Sequence, residues 1–249
     1  MKNTLSMINI HQVKTRLVNS YVVEYPDRLL IIDVASNCHR YVLGFIEQTL
    51  QRDIDDVALV ICTHDDPDHI GGVSALASLC DAQIAIPLSS KSLHHKVLGD
   101  PKGFIVKLAT TLREGLTPRA RDMYFNKARN VAARKKAKFT GKRRRIKRKN
   151  IRFHAYRLKG GTTVPLFDDW QVVHTPGHSW DSCCFYHPNS GGLITGDTLL
   201  CSAKQNRILV PAILSNQAQM NQSLDKLRSL NIQSVYPGHG SVISGDIKF

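Results

Sequence analysis

A chain of 249 residues with 42% hydrophobic composition can bury one sizeable core, and a single α/β domain over residues 1–249 is expected. No apolar stretch exceeds strand length, and the opening MKNTLSMINIHQ lacks the run that a signal peptide needs. No membrane span is therefore expected, and the cytoplasm is the expected location. Six cysteines (Cys38, Cys62, Cys80, Cys183, Cys184, Cys201) without CxxC spacing argue against a disulfide framework and for buried, reduced thiols.

The net charge of +14 is unevenly placed. Residues 100–160 hold 21 of the 34 Lys and Arg and three of the 20 acids, a local charge of +18; the rest of the chain stands at −4. The densest part is KKAKFTGKRRRIKRKN, from Lys135 to Asn150. Residues 90–160 thus read as a basic, partly helical, cap-like insertion within the domain.

In chain order, LVNSYVVEY (17–25) and LLIIDVA (29–35) are rich in branched and aromatic residues and predict two strands of a hairpin, turned at Pro26 and Asp27. A helix is expected over roughly His39 to Gln51, then the strand VALVIC (57–62), a helix from about Gly71 to Cys80 and the strand QIAI (83–86). In the basic segment, Ala120, Tyr124, Ala128, Val131 and Ala132 fall near one face of a basic amphipathic helix. Strands return at WQVVH (170–174), CCFYH (183–187), GLIT (192–195) and SVYP (234–237). Met220, Leu224, Leu227 and Leu230 recur at helical spacing behind Ser215 or Asn216 as N-cap.

The chemistry gathers at strand ends. THDDPDHIGG (63–72) lies between a buried strand and a helix, so its imidazoles and carboxylates share one loop at a sheet edge. HTPGHS (174–179), TGDT (195–198) and YPGHG (236–240) follow other strands and offer the same ligand types, which zinc, iron and manganese all accept. No Ser or Cys nucleophile set accompanies them. His174 and Trp180 read as packing or supporting residues.

HDDPDH, GHS, GDT and PGHG, in that order, resemble the signature of the metallo-β-lactamase superfamily, HxHxDH followed by a His, a bridging Asp and a final His. TPGH, TGDT and YPGHG look like the loops of its glyoxalase II and lactonase branches, and NSYVVE before IIDVA is similar to their opening hairpin. The resemblance implies a four-layer αββα sandwich and two divalent metal ions, zinc first, with iron or manganese as alternatives. Carried over by position, His64, Asp66 and His178 would bind one ion, Asp68, His69 and His239 the second, and Asp197 would bridge. Asp33 would hold the loop without touching a metal. The resemblance further implies hydrolysis by a hydroxide held between the ions, with Asp68 and Asp197 as the catalytic carboxylates. The departure is Asp66, where most relatives have His. A third ligand carboxylate adds a negative charge and favours harder cations.

The expected activity is hydrolysis of a small ester, thioester or lactone, with an anionic small molecule as substrate. Two alternatives stay open: a phosphodiesterase or nuclease acting on RNA or DNA, and a non-catalytic nucleic-acid-binding protein on a hydrolase scaffold. Either would use residues 100–160, with Arg143, Arg144 and Arg145 as the candidate contacts to phosphate. No membrane partner is expected.

Overall fold

The computed structural model describes residues 8–15, 18–90, 97–118, 120, 124, 155–202 and 206–249. The tract 125–154, with Arg143, Arg144 and Arg145, lies outside the described residues.

The first sheet takes β1 (Asn9–Lys14), β2 (Asn19–Glu24), β3 (Leu29–Ile32), β4 (Val57–Ile61), β5 (Gln83–Pro87) and β6 (Tyr156–Leu158) in chain order. β1 to β3 are antiparallel, and β3 to β6 run parallel. The second sheet has the order β14 (Ile243–Ser244), β13 (Ser234–Pro237), β10 (Gly192–Gly196), β9 (Cys183–His187), β8 (Phe167–His174), β7 (Thr163–Val164). β11 (Leu200–Ser202) and β12 (Arg207–Leu209) form a separate antiparallel pair. The helices are α1 (His39–Gln48), α2 (Pro67–Ile70), α3 (Val73–Cys80), α4 (Pro101–Gly115) and α5 (Gln217–Arg228).

The period-two alternation of strand side chains sorts the core into three slabs. Tyr21, Val23, Leu30, Ile32, Leu59 and Ile61 of the first sheet point at Phe167, Trp170, Val172, Cys183, Phe185 and Ile194 of the second. Their neighbours Val22, Ile31 and Val60 face the other way, onto α1 and α3. Cys184, Tyr186, Leu193 and Val235 likewise turn outward onto Met220, Leu224 and Leu227 of α5. Both sheets are thus apolar on both faces, which is why β3, β4, β9 and β10 read as continuous hydrophobic runs. The product is helix, sheet, sheet, helix. All six cysteines are buried free thiols, and Cys183 and Cys184 fall in different slabs. Among the described residues no helix is long and apolar enough to cross a membrane.

Several elements differ in extent from the expectation. The first helix stops at Gln48, and Gln51 adopts a left-handed backbone (φ 55°). The helix expected from about Gly71 starts at Val73, and a separate short helix, α2, precedes it; Gly72, packed against the backbone of Val34 and Ala35, is the N-cap of α3. The amide of Gly72 donates to the Val34 carbonyl at 2.7 Å, which ties this break to the end of β3. Asn216 caps α5 by accepting from the Gln219 amide at 3.0 Å.

Candidate metal centre

β8, β10 and β13 end at one edge of the second sheet, because β10 runs parallel to β13 and is linked through antiparallel β9 to β8, and the clustering of His64 with His178 and Asp197 brings the end of β4 to the same place. The loops after these four strands carry all seven candidate ligands.

Two triads of donor atoms result, each with its atoms within 4.8 Å of one another: His64, His178 and Asp197, and Asp68, His69 and His239. Asp197 touches both. Its Oδ1 lies 3.5 Å from Nε2 of His69 and of His239, and its Oδ2 lies 3.8 Å from Nε2 of His178. Asp66 joins the first triad, with Oδ2 at 3.3 Å from Nε2 of both His64 and His178. It sits at the N-cap of α2, where an aspartate commonly caps, yet its side chain makes no capping bond and turns toward the histidines.

The imidazoles are aimed by their other ring nitrogens. His69 Nδ1 donates to Asp33 Oδ2 at 2.8 Å, and His178 Nδ1 donates to the carbonyl of Ile213 at 2.8 Å. His64 Nδ1 is 3.1 Å from Thr63 Oγ1, itself bonded to Asp33. Such partners fix ring orientation and leave Nε2 free for a ligand. Asp33 touches no other member of the cluster at these distances. His174, by contrast, spends Nε2 on the backbone carbonyl of Trp180.

Packing holds the loops together. The first metal loop is tied down where Asp181 accepts from the Asp65 amide and Ser90 donates to Asp65. Asn19 and Tyr21 both donate to the Pro237 carbonyl, at 2.8 and 2.7 Å, and hold the His239 loop from the first sheet. Gly238 in that loop leaves room for the cluster: a Cβ there would stand 2.6 Å from Asp197 Oδ1 and 2.8 Å from His69 Cε1.

Buried opposite charges shift one another strongly. Burial pushes the Asp197 carboxyl up, but His239 and His69 outweigh it and hold its pKa well below the usual range. Burial likewise opposes ionisation of Asp68, and His69 and His239 bring its pKa down to about 2. Conversely, burial disfavours charge on His69 and His239, yet Asp33, Asp68 and Asp197 hold His69 well above its ordinary value, and Asp197 with Asp68 raises His239 to about 9. His178 is lowered, by burial first and by Lys107 second. Asp66 is held low against its own burial, by Lys107 foremost.

These residues fit a pair of divalent ions. Among the described residues the buried atoms His64 Nε2, His69 Nε2, His239 Nε2 and Asp197 Oδ1 have no hydrogen-bond partner, although buried polar atoms seldom go without one. Ligand bonds of roughly 2.0–2.1 Å in a tetrahedron give ligand-to-ligand edges of about 3.3–3.4 Å, the spacing of Asp66 from His64 and His178.

The Lactamase_B family model, described as the metallo-beta-lactamase superfamily, matches residues 13–239. The chain belongs to the metallo-beta-lactamase superfamily. Similar proteins include lactamase-like protein aptB of Emericella nidulans, 23% identical over 235 residues, or 94% of this chain and 55% of that protein. The atrochrysone carboxyl ACP thioesterase of Aspergillus fumigatus is 37% identical over 73 residues, 29% of this chain and 21% of that protein. The chain thus spans about half of aptB and a smaller share of the thioesterase. Among solved structures, the metallo-beta-lactamase family protein TTHA1429 of Thermus thermophilus matches with a TM-score of 0.60 at 21% identity, over 95% of this chain and 74% of that one.

Two residues outside the ligand loops also reach the cluster. Lys107 Nζ lies 2.6 Å from Asp66 Oδ2, and the Tyr124 ring stands edge-on to His239 with centroids 4.6 Å apart. Tyr124 is legible in the sequence only as one residue of a helical face, and Lys107 as one cation among many. An extra carboxylate at position 66 calls for a compensating cation, but spacing alone does not say which.

Proposed function

We propose that this chain is a metal-dependent hydrolase that cleaves a small ester, thioester or lactone, with thioesters the first class to test. The observation that carries the reading is the pair of donor triads joined by Asp197, in which His64 Nε2, His69 Nε2, His239 Nε2 and Asp197 Oδ1 are buried without a hydrogen bond. Zinc is the ion proposed first, on the two imidazoles in each half-site, with iron or manganese as alternatives. When bound, two divalent ions would polarise a carbonyl oxygen and lower the pKa of a water molecule.

The chain's own residues do the rest. Asp197 spans the two half-sites, and the histidines, aimed by Asp33 and the Ile213 carbonyl, keep the donor spacing. Asp68, at 29% side-chain exposure the most open carboxylate of the set, is placed to accept a hydrogen bond from the attacking water. The water oxygen adds to the carbonyl carbon, the carbon–sulfur or carbon–oxygen bond breaks, and the water's protons pass to solvent and the leaving group. Support from similarity lies in the thioesterase named above, and the cytoplasm remains the proposed location.

A panel of nitrophenyl esters, thioesters, lactones and bis-nitrophenyl phosphate, run with zinc, manganese and iron, tests the reading. Thioester or lactone turnover that vanishes with chelator is expected; turnover of the phosphodiester alone would replace it. That second reading, a phosphodiesterase on RNA or DNA, is favoured by the charge of +18 over residues 100–160.

A further inference from the structure

The first half-site differs from its relatives' pattern by one charge, and the structure places an opposite charge on the same atom. Asp66 Oδ2 is 3.3 Å from His64 Nε2 and His178 Nε2, and it accepts from Lys107 Nζ at 2.6 Å. Lys107 comes from α4, far along the chain in the excursion between β5 and β6. The pair is partly shielded, with side-chain exposures of 23% and 24%.

This encounter is built in. Asp100 caps α4 by accepting from the Gly103 amide at 2.9 Å. One turn beyond Lys107, Thr110 Oγ1 donates to the Leu214 carbonyl and accepts from the Leu214 amide, both at 3.1 Å. The preceding residue, Ile213, is the one whose carbonyl orients His178. α4 is therefore pinned to the same strip of backbone that aims a candidate ligand, and Lys107 projects from the pinned face.

We propose that Lys107 is a positioning residue of the metal centre that neutralises Asp66, so that the pair Asp66–Lys107 takes the place of a single neutral ligand in the first half-site. A carboxylate oxygen has two lone pairs, so Oδ2 can face the metal position with one and accept from the ammonium with the other. The net charge of the half-site then equals that of a site with His at position 66, and the preference for harder cations expected from a third carboxylate is cancelled by Lys107.

The inference rests on the metal-centre reading above, and metal content of the 249-residue chain tests it apart from activity. Zinc and manganese per chain, and affinities from chelator competition, are measured for the native protein, Lys107→Met, Lys107→Arg, Asp66→His and the double variant. Lys107→Met exposes an uncompensated carboxylate and should bind manganese in the first half-site tenfold tighter or more, since a unit charge this close to a dication is felt strongly. Lys107→Arg keeps the charge and should behave as native. Asp66→His leaves Lys107 beside a neutral imidazole in place of its partner carboxylate and should lose the first zinc, and the double variant Asp66→His/Lys107→Met should recover it.

Equal metal affinities for the native chain and Lys107→Met, or effects of the two single substitutions that simply add, would overturn the inference while leaving the dinuclear centre standing. A native chain that takes up no metal would overturn both. Circular dichroism separates loss of metal from loss of fold, and Lys107→Arg supplies a charge-preserving control.

Discussion

Asp33 Oδ2 lies 2.8 Å from Nδ1 of His69, and the same carboxylate accepts from the amide of Thr63 at 2.7 Å, so one residue off the ligand set aims an imidazole and fixes the backbone of the loop that carries it. Asp33 adopts φ 59°, in the left-handed region where Asp is tolerated better than most residues. Asp33→Asn should keep the fold and weaken metal binding in the half-site of His69 on the order of 10–100-fold, the usual cost of losing such a partner. Metal titration against a chelator reads this directly; an unchanged affinity would make Asp33 a packing residue only.

A methyl group at Gly238 would collide with Asp197 and His69. Gly238→Ala is expected to retain a native circular dichroism spectrum and bind less than one metal per chain. Full metal content in this variant would mean that the loop yields and that the close approach is not required.

The carboxylates that raise His239 to about 9 make the metal-free protein sensitive to alkali. A folded pKa above the unfolded value of about 6.5 stabilises the fold fully below that pH, and the contribution fades as pH rises through about 9. Asp68, lowered to about 2, acts oppositely: its contribution is complete above about 4 and disappears as pH falls through about 2. Thermal unfolding of chelated protein should therefore show a falling Tm from pH 6.5 to 9. Metal-loaded protein should lack that fall, because its histidines are already deprotonated, and loading below pH 9 should release protons. A flat Tm for the chelated protein over this range would contradict the raised His239.

How far this was legible in the sequence depended on whether side-chain patterning and structural role agreed. β4, β9 and β10 are buried on both faces and read plainly as apolar runs, and the ligand loops follow strands in motif order. β1 escaped because it is an edge strand in which only Val13 is fully buried, so NIHQVK carries little apolar signal. α4 escaped for the opposite reason. Its inner face carries Gly103, Lys107, Thr110 and Glu114, while Ile105, Leu108 and Leu112 are exposed, so the usual rule points its apolar stripe the wrong way. The Asp66–Lys107 pair joins residues 41 positions apart, and no local spacing announces such a meeting.

The basic tract lends itself to a test independent of the metals. If Arg143, Arg144 and Arg145 engage phosphates, affinity for RNA or DNA should fall linearly with log salt, and changing all three to Glu should weaken binding and flatten the slope. Hydrolysis of a small neutral ester should hardly change, since a substrate without charge gains little from added cations. Absence of nucleic-acid binding at low salt, with good thioester turnover, would remove the phosphodiesterase reading.

The central claim is that Asp197 joins two half-sites into one dinuclear centre. Elemental analysis of native protein and Asp197→Ala, each dialysed against the same zinc buffer, tests it most directly. Close to two zinc ions per native chain, and one or none with loss of hydrolysis in Asp197→Ala, is the expected result. A single ion in the native chain, or two retained without Asp197, would contradict it.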